Sequence, residues 1–189
     1  MDTLSATLAT IERLGLLLLH DQALPCLVHL VAGEPVRGSW WGHREGPAIY
    51  AIATALEAHP DVLVSKLVHG KVTFVHRRLA PAVAAVGSAR AAWQLEGLTE
   101  PALRLLAAVD AAEGLPVRAT GEPAKLLERR LLAFARQVHT AGGKHATELV
   151  AWSTLVAERE LAPLPSEPDA RRALEAAAAR LGAAARLPW

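Results

Sequence analysis

The sequence predicts an α+β protein that is mainly helical and carries one or two β-hairpins. Two observations support the helical part. Alanine and leucine supply much of a 52% hydrophobic content, and apolar residues recur at helical spacing along most of the 189 residues. A third observation supports the hairpins, because β-branched residues concentrate at 61–76 and, less strongly, at 135–152. The 21% charged content is typical of a globular chain rather than a disordered one.

Three helices are predicted in the first sixty residues. They span 3–20, 25–31 and 47–59, and a loop rich in glycine and proline spans 34–46. Asp2 or Thr3 can cap the first helix. Pro25 and Pro47 suit the first turns of the other two, and Gly33 ends the second.

The stretch 61–76 is rich in valine and predicts a β-hairpin with a two-residue turn at His69-Gly70. Side chains alternate between the two faces of a strand, so Val64, Lys66 and Val68 share one face. A lysine between two valines is then partly removed from water unless the edge of the hairpin is open, which makes Lys66 unusual.

The same signals predict the remaining elements. In chain order they are a short helix at 79–86 that Gly87 ends, a helix at 99–112 that Thr99 caps, a turn with a short strand at 114–120, a helix at 123–134 and a helix at 169–181. The stretch 135–152 is ambiguous, because its end fits a strand or a helix, and we interpret it as a second hairpin. Helix followed by hairpin thus occurs twice, at 47–76 and at 123–152. That order is the outline of a winged-helix module, so we expect a winged-helix-like fold.

The predicted domain organisation is simple. Residues 1–159 are expected to form a single globular domain, with 1–97 and 98–159 as possible sub-modules. Three prolines mark 160–168 as a linker, and 169–189 is expected to be a C-terminal helix.

Charge and cysteine content limit the possible functions. The formal net charge is +1, so any site for a polyanion has to be a local patch. With Cys26 as the single cysteine, an intramolecular disulfide and a multi-cysteine zinc site are excluded. The apolar run at 16–19 is too short to span a membrane and lacks the features of a signal peptide. We expect a cytoplasmic protein with no membrane partner.

The loop before the third helix contains the adjacent tryptophans Trp40 and Trp41 between Arg37 and Arg44. Paired indoles can stack on a nucleic-acid base while the arginines bind phosphates. The alternative is that one tryptophan fills the core and the other secures the loop, and the sequence leaves both interpretations open. The His43-x-Glu45 pattern resembles the start of a zinc deaminase signature, but the later Pro-Cys-x-x-Cys is missing, so we predict no metal site.

Lysine is rare in this chain, which has sixteen arginines and four lysines, so Lys66 and Lys71 attract attention. A lysine amine that is partly desolvated can become a nucleophile, whereas a guanidinium stays protonated. Such an amine can attack the aldehyde carbon C1′ of an abasic deoxyribose. The alternative is that both lysines are solvent-facing charges that protect a sheet edge. The run of cationic residues at 76–78 directly after the hairpin favours the first interpretation.

Three motifs carry a resemblance to a known group of proteins. They are Gly-Ser-Trp-Trp-Gly-His at 38–43, Leu-Glu-x-His-Pro-Asp-Val-Leu at 56–63, and Lys-Leu-Val-x-Gly-Lys-Val-Thr-Phe-Val-His-Arg-Arg-Leu at 66–79. The pattern resembles prokaryotic DNA glycosylases with abasic-site lyase activity that contain winged-helix parts, over roughly residues 20–152. The resemblance implies a lysine Schiff base, base flipping and an aromatic stacking platform. The near-neutral charge departs from that of a tight duplex binder.

We therefore predict a DNA-repair protein that acts as a DNA glycosylase, an abasic-site (AP) lyase or both. Lys66 is the predicted nucleophile, and His43, Glu45 or His69 is the predicted general base. The predicted nucleic-acid contacts are Trp40, Trp41, Arg37, Arg44, Lys71, His76, Arg77, Arg78 and Lys144. Damaged or abasic DNA is the expected partner, and no cofactor is expected.

Two other classes of function stay open. One is a winged-helix DNA-binding regulator without catalytic activity. The other is a protein-interaction module whose tryptophans fill an interface with a partner.

Overall fold

In a computed structural model the protein is about 52% helical and 15% strand, with two antiparallel three-stranded sheets. The structure describes residues 2–139 and 145–189. The prediction of an α+β, mainly helical fold with hairpins is confirmed. The chain divides into two compact units, Met1–Ala80 with Arg172–Pro188, and Pro81–Arg171 with Trp189.

The first unit, unit 1, contains helices and one sheet. Its elements are α1 (Thr3–Leu14), β1 (Leu16–Leu18), α2 (Leu27–Ala32), α3 (Gly46–Glu57), β2 (Val62–Lys66) and β3 (Val72–His76). The strand order is β1-β3-β2, and both pairings are antiparallel. Helix, strand, two helices and a hairpin thus follow one another, which agrees with the winged-helix-like outline that the sequence predicts.

The single helix predicted for residues 3–20 is wrong in its last part. Asp2 caps α1 as expected, since its Oδ1 accepts a hydrogen bond from the Ser5 N–H at 2.8 Å. The helix ends at Gly15, whose φ of 87° is left-handed and whose N–H donates to the Ile11 carbonyl. The following run Leu16–Leu18 is fully buried and pairs with β3, so pairing in the sheet overrides the helical propensity of leucine.

The core of unit 1 lies between one face of the sheet and the three helices. Its members are fully or nearly fully buried: Ile11, Leu17, Leu27, Ala53, Leu56, Val62 and Phe74. Val64 packs against this cluster from β2. The alternation predicted for the hairpin therefore places Lys66 on the strand face that carries the core residues.

The first hairpin is confirmed, but its turn is longer than predicted. The ladder ends at the pair Lys66–Val72, which leaves residues 67–71 outside it; we call these five residues the wing tip. His69 (φ 55°) and Gly70 (φ 65°) have the left-handed backbone expected of the turn. The buried Thr73 hydroxyl closes the wing tip, because it accepts from the Val68 N–H and donates to the Lys71 carbonyl.

The second unit, unit 2, repeats a helix-plus-hairpin arrangement. Its elements are α4 (Ala80–Ser88), α5 (Ala92–Leu95), α6 (Glu100–Ala111), β4 (Val117–Ala119), α7 (Gly121–Arg129), β5 (Phe134–His139), β6 (His145–Val150), α8 (Trp152–Glu158) and α9 (Glu167–Leu181). The first residue of α4 and the C-terminal part of α9 belong to unit 1. The strand order is β4-β6-β5, and β5 pairs with β6 as the predicted second hairpin. The turn expected at 141–144 lies outside the described residues.

Several boundaries differ from the predictions. The helix predicted for 123–134 ends at Arg129, because Leu131 has a left-handed backbone (φ 53°) and Phe134 already starts a strand. The helix α4 continues past Gly87, which was expected to end it. The division at Ala80–Pro81 precedes the sub-module boundary expected at 97–98. Among the described residues, no helix has the length and apolar character needed to cross a membrane.

Gly87 provides a test of the packing in unit 2. A Cβ added at this position would overlap the indole ring of Trp152, which is 3% exposed and donates to the Leu131 carbonyl at 2.7 Å. We expect Gly87→Ala to lower the free energy of unfolding by about 1–3 kcal/mol, because a well-packed core accommodates an added group only by moving. Urea denaturation measures the change.

Gly42→Ala is the matched control, since a Cβ there meets nothing within 4 Å and Gly42 has no left-handed φ. We expect the control to change stability by less than about 0.5 kcal/mol. Equal stabilities for the wild type and Gly87→Ala would contradict the tight packing of α4 against Trp152.

Candidate functional site

All of the predicted site residues except one lie in unit 1, in two groups. One group surrounds the tryptophan loop and contains Arg37, Trp40, Trp41, His43, Arg44 and Glu45. The other lies on the first hairpin and directly after it, and contains Lys66, Lys71, His76, Arg77 and Arg78. Lys144 lies outside the described residues.

The two tryptophans have different environments. Trp40 is 8% exposed and Trp41 is 67% exposed. Their rings stack with centroids 4.2 Å apart and an interplanar angle of 21°, and Trp41 also lies 5.8 Å from the ring of Tyr50. Trp40 is therefore the residue that fills the core, and the indole of Trp41 is exposed to solvent. We call Trp41 and Tyr50, supported from below by Trp40, the aromatic platform.

Local backbone geometry places the platform at the start of α3. Residues Trp40–Gly42 form a short 3₁₀ turn, in which the His43 N–H donates to the Trp40 carbonyl at 3.0 Å. A Cβ at Gly46 would lie 3.1 Å from the Trp41 carbonyl oxygen and 3.2 Å from that of Trp40. Glycine at this position lets the helix begin directly against the turn.

A hydrogen bond joins the backbone of Glu45 to the imidazole ring of His43. The Glu45 N–H donates to His43 Nδ1 at 3.2 Å, so a neutral His43 carries its proton on Nε2. That nitrogen lies 3.5 Å from a carboxylate oxygen of Glu34. The Glu45 carboxylate is 40% exposed and lies 3.6 Å from Nε of Arg44. Of the predicted general bases in this loop, His43 and Glu45, the second has the more accessible proton-accepting atoms.

Lys66 is half-buried at the end of β2, on an outer strand of the sheet. Its cross-strand neighbour is Val72, and the valines at 62 and 64 precede it on the same strand face. Because β2 is an outer strand, one of its edges is open, and the partial desolvation of Lys66 stays a prediction.

Lys71 is held in an ion pair that the sequence did not predict. Its Nζ donates to Oδ2 of Asp21 at 2.7 Å, and Nδ1 of His69 lies 3.7 Å from the same oxygen. The other oxygen, Oδ1, accepts from the N–H groups of Ala23 and Leu24 at 2.9 and 3.0 Å. We call these residues, Asp21, His69 and Lys71, the Asp21 cluster. A lysine committed to a carboxylate in this way is a poor candidate for the nucleophile.

The electrostatics of Asp21 follow from these contacts. The side chain is only 6% exposed, and burial by itself raises the pKa of a carboxyl group. The hydrogen bond from Lys71, those from the two backbone N–H groups and the Lys71 charge outweigh burial and hold the pKa of Asp21 well below its usual range. The carboxylate is therefore ionised at neutral pH.

The residues at 76–78 offer less positive charge than their sequence suggests. Arg77 pairs with Asp61 at 3.1 Å with both side chains exposed, and Arg78 is exposed as well. Burial, together with the nearby charge of Arg78, lowers the pKa of His76. Its Nδ1 also accepts from the Arg78 N–H at 3.3 Å, so His76 is neutral at pH 7 and does not add to the positive charge.

No family model matches this chain, and neither a curated protein nor a solved structure is significantly similar to it. Among the described residues, no group of three or more histidine, cysteine, aspartate or glutamate side chains could hold a metal ion.

Sequence reasoning missed two contributors to the site. Tyr50 occupies an exposed position on α3, where nothing in the sequence indicates that it meets Trp41. Asp21 is followed by Gln22-Ala23-Leu24-Pro25, a polar residue shortly before a proline, which is a weak turn signal. Its pairing with a lysine fifty residues later has no local signature.

The Asp21 cluster predicts a pH-dependent contribution to stability. The pKa of Asp21 is lower in the folded protein than in the unfolded chain, where it is about 3.9. The ionised carboxylate therefore stabilises the fold above the unfolded value, and this contribution is lost as the pH falls toward the folded value. We expect Asp21→Asn to lower the free energy of unfolding by about 2 kcal/mol at pH 7 and by about 1 kcal/mol near pH 3, which lies about one pH unit below the unfolded value.

Asp61→Asn is the control, because Asp61 also pairs with a cation in unit 1 but is exposed. Its effect should stay below about 1 kcal/mol at either pH. Denaturant unfolding at the two pH values measures all three proteins. An Asp21→Asn effect that does not change between pH 7 and pH 3 would contradict the assigned ionisation.

Proposed function

We propose that this protein binds damaged or abasic DNA on the aromatic platform and acts there through a Schiff base of Lys66, as a DNA glycosylase, an AP lyase or both. The observation that carries the proposal is the 67% exposure of Trp41 in a stacked arrangement. We also propose that the protein is located in the cytoplasm.

An exposed indole that is held in place suits the binding of an unstacked base. Trp41 rests on buried Trp40 on one side and meets Tyr50 on another, so little conformational entropy is lost when a flat ligand covers it. Stacking of one base on an aromatic side chain contributes about 1–3 kcal/mol and does not depend on sequence. This property fits a protein that recognises the absence or alteration of a base.

Phosphate contacts near the platform would come from arginines. Arg37 and Arg44 flank the tryptophans, and Arg44 is 76% exposed. Arg77 and Arg78 are exposed after the hairpin. Lys71 contributes less than the sequence suggests because Asp21 already neutralises it. A few arginines in a chain of net charge +1 support local contacts to a lesion better than tight binding along a duplex.

Lys66 would supply the chemistry. Its neutral amine attacks C1′ of the open-chain abasic sugar, and loss of one water molecule gives an iminium ion. A base such as Glu45 then removes a proton from C2′, and the electron pair expels the 3′ phosphate. Water hydrolyses the remaining imine and restores the lysine. Lys66 is favoured over Lys71 as the nucleophile because Lys66 is half-buried at the end of β2, whereas the Lys71 ammonium is held by the buried carboxylate of Asp21.

A second candidate is a DNA-binding regulator without catalytic activity. The winged-helix-like order of unit 1 favours it, because such modules place a helix and a wing against DNA. A regulator and a lyase differ in one observable property, the covalent intermediate.

One experiment addresses the proposal and its alternative. Wild-type protein is mixed with a fluorescent oligonucleotide that contains one abasic site, and the imine is trapped with borohydride. We expect a covalent adduct from the wild type and none from Lys66→Arg, which keeps the charge but cannot form the imine. Trp41→Ala should weaken binding of the same oligonucleotide by about tenfold, as measured by fluorescence anisotropy.

Lys125→Arg is the matched control, since Lys125 is an exposed lysine of unit 2 and should leave the adduct unchanged. Binding without an adduct would favour the regulator. An adduct that persists in Lys66→Arg would exclude Lys66 as the nucleophile. Absence of both binding and adduct would overturn the proposal and leave a protein partner for the aromatic platform.

A further inference from the structure

The wing tip of unit 1 is fastened to a C-terminal segment of the same unit. Residues 182–186, which we call the strap, contact it through two backbone carbonyls. The His69 N–H donates to the Arg186 carbonyl at 3.0 Å, and His69 Nε2 lies 2.9 Å from the Ala184 carbonyl. A carbonyl oxygen only accepts, so this ring nitrogen carries a hydrogen and donates it.

The strap has a defined shape of its own. The Ala185 N–H donates to the Gly182 carbonyl at 3.0 Å and closes a turn. The Arg186 guanidinium folds back and donates to the carbonyls of Ala183 and Ala185 at 2.7 and 2.9 Å. At its start, the strap lies against Leu24, because a Cβ added at Gly182 would approach Leu24 Cδ2 to 2.7 Å. Leu24 belongs to the turn that Asp21 caps.

The groups that the strap and Asp21 occupy are those with which a wing tip would bind a phosphate. The wing tip presents a backbone N–H and an imidazole N–H of His69 together with the ammonium of Lys71. Each already has an oxygen acceptor from the protein, namely two carbonyls of the strap and the Asp21 carboxylate. Backbone N–H groups and cationic side chains are the usual partners of DNA phosphates. The protein therefore supplies the donors of its own wing tip with oxygen acceptors.

We propose that the strap is an autoinhibitory segment, which competes with the phosphate backbone of DNA for the wing tip. The inference rests on the proposed function, because it requires DNA to approach the hairpin. Binding of DNA at the wing tip then requires the strap to detach, and the measured affinity is reduced by the fraction of molecules in which the strap is bound.

Ala185→Pro opens the strap without touching any residue proposed to bind DNA. Proline has no N–H, so the turn to Gly182 is lost, and the preceding residue, Ala184, is driven toward an extended backbone. Ala185→Ser keeps the N–H and is the matched control. Hydrogen exchange of the His69 amide reports whether the strap is attached, and the Phe74 amide in the β-ladder reports whether the sheet is intact.

With both variants and the wild type, anisotropy of the abasic oligonucleotide is measured beside hydrogen exchange. We expect Ala185→Pro to speed exchange of the His69 amide while the Phe74 amide stays protected, and to raise the affinity for the oligonucleotide about tenfold. Ala185→Ser should change neither quantity.

Two results would overturn the autoinhibitory role of the strap and leave the proposed function intact. One is faster His69 exchange with an affinity that is unchanged or lower, which would make the strap a support for the wing. The other is unchanged His69 exchange, which would show that the turn does not hold the strap in place. A third result would overturn both proposals. In it, exchange of the His69 amide is faster in Ala185→Pro, but neither the wild type nor either variant binds the oligonucleotide.

Discussion

The buried carboxylate of Asp21 is the contact on which the first hairpin of this protein depends. It ties the turn after β1 to the hairpin, because one oxygen binds two backbone N–H groups and the other binds Lys71. An isolated buried carboxylate is too costly to keep ionised, so the cation and the N–H groups have to stay in place together. The commitment of the Lys71 ammonium to a carboxylate follows from this contact.

The aromatic platform shows a related division of roles between neighbouring residues. Trp40 contributes to the core. Because the Trp41 ring stacks on this buried indole, the plane of the exposed ring is fixed. A single tryptophan in a mobile loop would lose conformational freedom on binding a flat ligand, whereas a stacked pair has lost it already on folding. The unequal exposure of the pair is therefore what makes a binding function plausible in physical terms. Of the two interpretations that the sequence left open, the structure supports the core position for Trp40, and base stacking on Trp41 stays a proposal.

Local signals predicted most of the helices and both hairpins of the described chain. Asp2, Thr99 and Gly33 cap or end helices where the sequence indicated. The largest failure has its cause in contact between residues distant in sequence. The strand Leu16–Leu18 exists because β3 pairs with it, and leucine content alone predicts a helix there.

The candidate site was predictable to a similar extent. The composition of 37–78 identifies the stretch that carries the exposed indole and the half-buried lysine. It does not reveal which tryptophan is buried, because adjacent residues in a loop have no fixed periodicity. Nor does it reveal that Lys71 meets a carboxylate fifty residues earlier. Charges counted along the sequence therefore overestimate the cationic surface, and the structure leaves mainly arginines to bind phosphate.

Stacking of DNA on Trp41 is tested most directly by the indole N–H resonances of the protein, which contains five tryptophans. The Trp41 signal is identified by its absence from the spectrum of Trp41→Phe, and an abasic oligonucleotide is then titrated into the wild type. We expect the Trp41 resonance to shift in a saturable manner while that of Trp93, in unit 2, stays in place. A Trp41 resonance that does not move when the oligonucleotide binds, or no binding at all, would contradict the proposed role of the aromatic platform.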